Sequence, residues 1–387
     1  MLGGLSILNE SQAADMIQYP PSAASDESLS DDAKKEVITE IEYEVESYEA
    51  ESEAEDENPE LREDDGIAHV AIVKTTNRED GIARAAELLG KIDFSGKDVY
   101  LKGSYNSPDA FPATTHPYAL GAMVRMLRGK GAGKVTFIER SGMGRTRDVL
   151  EKLNVLTALD KLNVPFRLLD ELSADEWCYI APGRSHWPKG IEFPKFLMDE
   201  NKCVVQLCNL KTHRFGGRFS ASLKNSIGLI AKYATAPESG LTEKDANGRS
   251  RGWNYMKDLH SSSRQGQMIA EANQTYTPEL IVMDAIEVFI SGGPEKGETA
   301  ATGIIAASRD RVAIDAVGFA ILQHAGAHMT GAANIFGQPQ IMRAVELNLG
   351  VRSPGKIRIV SDDTAGRLLA ERLEDMLTQR PSRKPQR

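Results

Sequence analysis

The sequence predicts an α/β protein. Its expected form is a three-layer, mostly parallel sheet with Rossmann-like halves, preceded by an acidic, disordered N-terminal segment. Three observations lead there. From about residue 66, β-branched apolar runs of strand length alternate with segments of helical spacing. The turns between them are polar and rich in glycine. Charge is divided along the chain: residues 1–65 hold 21 Asp or Glu and 3 Lys or Arg, a balance of −18, and the remainder holds 35 and 43, a balance of +8.

The acidic head (1–65) has the composition of a solvated, disordered segment. Within it Val37, Ile41, Val45 and Tyr48 recur at helical spacing, which predicts a short amphipathic helix, formed transiently or on a protein partner. The α/β body spans 66–380, as one domain or as two α/β halves meeting near residue 200. Strands are predicted at His69–Lys74, Asp98–Lys102, Lys134–Glu139, Val164–Leu169, Leu280–Asp284, Gly303–Ser308 and Lys356–Val360. Helices are predicted across Asp80–Leu89, from His116-Pro117 through Arg128 with Thr115 as N-cap, from Thr146 through Leu153, across Gln265–Tyr276, from Asp310 through Gln323, and up to Leu377. Tyr233–Ser263 lacks periodicity and reads as a long loop or lid carrying Trp253, Tyr255 and His260.

The stretch Cys203–Lys232 organises the rest. A strand-like run, Cys203-Val-Val-Gln-Leu-Cys208, feeds Lys211-Thr-His213, a basic glycine turn and a helical segment with Leu223, Ile227 and Ile230 on one side. A strand passing through a polar turn into a helix is where open α/β sheets place ligands. Lys211, His213, Arg214, Arg218 and Lys224 fall in it, with no carboxylate before Glu238. That charge favours an anion. The run from Ser141 through Gly142 and Gly144 to Thr146, followed by a strand ending at Asp170, has part of the layout of a dinucleotide site, but Arg147 stands where the third glycine belongs. Gly142 and Gly144 are thus candidate cofactor contacts, and a plain tight turn is the other reading.

The stretch Leu210-Lys-Thr-His-Arg-Phe-Gly-Gly-Arg-Phe-Ser-Ala-Ser-Leu-Lys-Asn-Ser-Ile-Gly228 resembles the signature of the family catalogued as domain of unknown function 362. The resemblance continues through Asn106–Pro117, Leu259-His-Ser-Ser262, Met268–Asn273, Ser291-Gly-Gly-Pro294 and Asp310–Asp315, covering roughly Ala68 to Val360. It implies a fold and a residue set, but no reaction. Relatives usually read Lys-Pro-Asn-Phe-Asn-Ser where this chain has Lys102-Gly-Ser-Tyr-Asn-Ser107; Lys102 and Asn106 match, and Ser104 replaces the first Asn. Some relatives carry ferredoxin-like cysteine motifs. This chain has only Cys178, Cys203 and Cys208, so no intrinsic iron–sulfur cluster is expected. The layout also has a fold-level analogy with nickel-cofactor racemases.

Composition narrows the function further. With 41% hydrophobic and 26% charged residues the chain is of the soluble globular type. No basic cluster is interleaved with aromatics, which argues against nucleic acid, and no apolar run reaches the ~20 residues of a membrane span. The opening MLGGLSIL lacks a basic flank and a cleavage site, so a cytoplasmic protein is expected. Cys203 and Cys208, five apart on a strand, should face opposite sides as buried apolar residues.

Among the seven histidines, His116, His213 and His260 fall in polar segments, His116 being either a ligand or base or merely a polar cap, and His186 beside Trp187 is undecided. Two chemistries stay open. In one, His116, His213, His260 and Asp284, with Glu271 or Asp315 as alternatives, hold a divalent transition metal. In the other, Lys211, His213 and His260 are catalytic, with imidazole as general acid or base. Asn106, Thr115, Arg218, Lys224 and Asn225 then bind a small carboxylate or phosphate. Lys211 and His213, two apart in extended backbone, should face the same side; alternatively Lys211 pairs with Asp284 and His213 caps a helix. An enzyme, such as a metal-dependent oxidoreductase or isomerase moving a proton or an electron, is favoured. The competing class is a metal- or cofactor-binding accessory protein without catalysis.

Overall fold

Nine strands form one sheet in the structure, a computed structural model that describes residues 66–199, 202–215, 218–244, 250–329 and 334–378. The strands are β1 (Ala68–Lys74), β2 (Asp98–Lys102), β3 (Lys134–Glu139), β4 (Phe166–Leu168), β5 (Lys202–Thr212), β6 (Phe219–Ser220), β7 (Leu280–Phe289), β8 (Thr299–Ser308) and β9 (Ile357–Val360). Their order is β9-β1-β8-β7-β5-β2-β3-β4, with β6 paired to the end of β5. β8 runs antiparallel to β1 and β7, and β6 antiparallel to β5; every other pairing is parallel.

The ten helices among the described residues sort cleanly onto the two faces. One core is built with α1 (Arg78–Leu88), α2 (Pro117–Gly129), α3 (Thr146–Lys152) and α4 (Val155–Lys161). The other is built with α5 (Ser222–Asn225), α6 (Tyr255–Ser261), α7 (Gln265–Ala272), α8 (Arg311–His324), α9 (Pro339–Glu346) and α10 (Thr364–Thr378). Strand periodicity divides the side chains between them. In β5, Cys203, Val205 and Leu207 enter the first core, and Val204, Cys208 and Leu210 the second. The two cysteines face opposite sides, as their spacing predicts. β5 is buried along almost its whole length, which is why its first half, Cys203–Cys208, lacks the apolar–polar alternation of a half-exposed strand.

Several local expectations are corrected. The N-cap of α2 is His116, whose Nδ1 accepts from the Tyr118 N–H at 3.2 Å; Thr115 instead accepts from the Ser104 N–H at 2.8 Å. The helix expected across Leu223–Ile230 is a single turn, α5, followed by a 3₁₀ turn at Ser226–Leu229. The carbonyls of Ile227 and Ile230 accept from the Arg140 guanidinium, and that of Ile227 also accepts the Ile230 N–H in the 3₁₀ turn. The Tyr233–Ser263 stretch is no bare loop: it holds a two-stranded ribbon, Thr242–Lys244 with Ser250–Gly252, and then α6, which carries His260. The acidic head and its amphipathic segment lie outside the described residues. No helix among the described residues is long and apolar enough to cross a membrane.

Candidate functional site

From β2 the chain works outward through β3 and β4, returns to β5 on the other side of β2, and works outward again through β7 and β8. The β5/β2 junction is therefore the point where strand order reverses, and a crevice opens there at the carboxyl ends of the strands. A cavity of about 330 Å³ lies at that place. Lys102 and Glu139 reach it from the last residues of β2 and β3, Lys211 from the last but one of β5, and His213 directly follows β5. Lys224, Asn225 and Gly228 come from the α5 segment, His260 and Met256 from α6, and Asn106 and Gly142 from the loops after β2 and β3.

The floor is a buried, fully bonded charge network. Lys102 Nζ donates to Glu139 Oε1 at 2.5 Å, to the Gly103 carbonyl at 2.8 Å and to Asn225 Oδ1 at 3.5 Å. Glu139 also accepts the backbone N–H groups of Tyr105 and Arg140 at 3.0 and 2.8 Å. Burial pushes Lys102 down and Glu139 up, and each is opposed by its partner. The Arg140 guanidinium donates to the carbonyls of Ile227, Ile230 and Ser141 and touches Met256 Sδ at 3.5 Å. Burial lowers it to about 10. These groups fix the wall. Lys102 also sets the Asn225 amide, because an oxygen accepting from the ammonium turns Nδ2 the other way.

The remaining cations are under-bonded. Lys211, 2% exposed, gives one hydrogen bond to the Ala113 carbonyl and keeps two donors in hand. Lys224 has no hydrogen-bond or ion-pair partner among the described residues. Burial lowers both to about 8, and the Arg140 charge adds to the effect on Lys224. Asn225 Nδ2 and His213 Nδ1 are buried without hydrogen-bond partners among the described residues. Glu139, already committed, is the one carboxylate among the described residues of the lining. Burial, then Lys224 and Lys211, hold His213 well below its usual range, and the same desolvation and Lys224 lower His260. His260 Nδ1 lies 2.6 Å from the Met256 carbonyl, so in the neutral ring Nδ1 carries the proton and Nε2 keeps the lone pair.

Of the residues singled out in the sequence, Lys211, His213, His260, Asn106, Lys224, Asn225 and Gly142 share this cavity. The others lie elsewhere. His116 caps α2 and stacks on Tyr118. Burial and the charge of Arg78 lower it to about 3. Asp284 pairs with Arg78 at 2.7 Å and not with Lys211. Glu271 is taken by His186 and Arg343. Asp315 accepts the Ser222 and Leu223 N–H groups at the start of α5. No group of three His, Cys, Asp or Glu converges as a metal-ligand set among the described residues. Thr115 pins the loop after β2 to Asn209, and the Arg218 carbonyl accepts the His213 N–H. Asp170, the acid of the dinucleotide layout, caps Thr146 at the head of α3, and Glu171 pairs with Arg147. That part of the layout is structural, and Gly144 is the left-handed residue of its turn, at φ 99°.

Sequence reasoning missed Glu139 and Arg140 and gave Lys102 no role. A readable signal existed: a charged residue closes the apolar runs of both β2 and β3, where a buried charge needs a reason.

Residues 99–320, more than half of the chain, match the family described as domain of unknown function (DUF362). A thylakoid-associated protein of Synechocystis sp. is 25% identical over 209 residues, which are 54% of this chain and 57% of that protein. The chain thus spans little more than half the length of that relative. Two solved structures are similar, each with a TM-score of 0.39 and over 64% of this chain. One is the lactate racemase apoprotein from Thermoanaerobacterium thermosaccharolyticum, 17% identical over 55% of its own length. The other is a protein from Thermotoga maritima, 14% identical over 57% of its length. The family match is extensive enough to assign membership: the chain belongs to the DUF362 family.

Proposed function

We propose that this member of the DUF362 family is an enzyme that binds a small organic anion, a carboxylate or a phosphate ester, and transfers a proton on it. The observation that carries the reading is the Lys224 ammonium, held in the cavity without a counter-ion among the described residues, beside a second under-bonded cation, Lys211. Lys211 is buried and Lys224 half-buried; a desolvated cation without a counter-ion costs free energy, and a ligand anion removes that cost. Lys211, Lys224 and the Asn225 Nδ2–H would bind the anion. His260, neutral and with its Nε2 lone pair free of the Met256 contact, would act as base, with His213 as second proton carrier. A second reading rests on the same imidazoles: His260 Nε2 and the unpartnered His213 Nδ1 are two donors that a divalent transition metal accepts, and an accessory protein would carry it there.

The test combines calorimetry with isotope exchange. Wild-type protein should bind simple carboxylates or phosphate esters and move deuterium from D₂O onto a bound anion. Lys211→Met should lose binding, and His260→Ala should lose exchange with binding kept. Metal content, measured by elemental analysis after purification without a metal-binding tag, separates the accessory reading. If no anion binds and Lys211→Met is indistinguishable from wild type, the enzyme reading is wrong.

A further inference from the structure

The cavity has a polar floor and an apolar mouth, and this polarity narrows the ligand beyond its charge. Toward the strand ends the lining is almost sealed: Lys102, Glu139, Arg140 and Lys211 are 1–3% exposed, and His213 is 8% exposed. Toward solvent it is apolar, and two of its members, Met143 and Phe215, are large hydrophobic side chains left 41% and 45% exposed. Exposed apolar side chains scattered over a surface need no explanation, but two on the rim of one ligand-sized cavity do. Met256, Ile227 and Pro294 continue the apolar wall inward. Phe215 is held in place by its neighbours: the Arg214 guanidinium lies 4.4 Å over its ring, and the His213 ring meets it edge-on at 6.0 Å. Arg214 is itself anchored to Glu295 and the Gly293 carbonyl.

A bare inorganic anion would use the floor and leave this wall wet. We infer that the ligand is an amphipathic organic anion, whose carboxylate or phosphate head meets Lys211 and Lys224 and whose aromatic or branched aliphatic body lies against Phe215 and Met143. The volume suits it, since about 330 Å³ is at the small end of sites that enclose drug-sized molecules. This rests on the anion reading above and specifies the substrate class of the same site.

The experiment is a calorimetric series on the full chain with acetate, phenylacetate, inorganic phosphate and phenyl phosphate. Adding the phenyl body should tighten binding on the order of tenfold or more with whichever head is preferred. The carboxylate and phosphate arms identify the head. In Phe215→Ser and Met143→Ser, both surface changes, the ratio between phenylated and bare anion should fall toward one while the melting temperature stays near wild type. Equal affinity for bare and phenylated anions in the wild type overturns the proposal, and so does a ratio that survives both substitutions. Failure of the anion reading looks different, because then none of the four compounds binds.

Discussion

Replacing Lys224 with Met should stabilise the protein while destroying its anion site. Lys224 is lowered from 10.5 to about 8, first by burial and then by the charge of Arg140, and no partner among the described residues offsets this. A difference of that size between the unfolded and folded chain corresponds to at most about 3 kcal/mol against folding, since the half-buried side chain keeps some contact with solvent. The sign follows from protonation. Below pH 8 the lysine is charged in both states and the whole penalty is present. Between pH 8 and 10.5 the unfolded chain still holds the proton that the folded chain has released, so stability rises with pH. Above 10.5 both states are neutral and the penalty is gone. Met keeps most of the side-chain volume and removes the charge, so the variant should gain up to about 3 kcal/mol at pH 7 and almost nothing above pH 10.5. For a body of this size that gain is a rise of roughly 5 °C in melting temperature. Thermal unfolding at the two pH values measures it. An anion at a hundred times its Kd should add about 2.7 kcal/mol to the wild type and nothing to the variant. A loss of several kcal/mol in Lys224→Met would mean that a buried ion pair had been broken, and the reasoning would be refuted.

Two further expectations are simpler to state. Anion affinity should be flat below about pH 8 and fall above it, as Lys211 and Lys224 lose their protons from values of about 8; calorimetry between pH 6 and 10 checks this, and affinity that rises with pH would contradict it. Gly228→Ala should cost about 1–3 kcal/mol in urea unfolding and weaken anion binding, because a Cβ there would sit 2.8 Å from Lys102 Nζ and 3.2 Å from Glu139 Oε1, inside a network with no room to yield.

The parts of the molecule legible in the sequence are those written in local pattern. The strands of the sheet show as β-branched runs, and β5 shows both its burial and the opposite facing of Cys203 and Cys208. Lys211, His213, Lys224 and Asn225 were legible because they follow a strand in an open α/β fold. What depended on a distant partner was not legible. His116 stayed open between a ligand or base and a polar cap because its burial beside Arg78 is a tertiary fact. Asp284, Glu271 and Asp315 looked available because the groups that claim them lie 206, 72 and 93 residues away in the chain. The segment looked like a longer helix because its apolar spacing is helical, whereas the turn after α5 is held through the Ile227 and Ile230 carbonyls by Arg140, 87 and 90 residues earlier.

Hydrogen-bond saturation sorts the cations of the cavity into two kinds. Lys102 and Arg140 have their donors spent on carbonyls, an amide oxygen, a sulfur and one carboxylate, so each is held in a single position. Such groups serve as framework. Arg140 holds the Ser226–Leu229 turn against the end of β3, and Lys102 turns the Asn225 amide so that its Nδ2 has nothing to donate to. Lys211 and Lys224, on the lining of the same cavity, keep donors unspent. Had burial alone been the requirement, apolar residues at these two positions would have given a more stable fold. The arrangement is coherent if the second pair waits for charge from outside and the first pair keeps it where that charge must arrive. Pre-positioned donors of this kind need no rearrangement when the ligand binds, and the water-poor setting strengthens each contact they make. On this view the glycine at 228 belongs to the site as much as the lysines do, since any larger residue would move the framework that aims them.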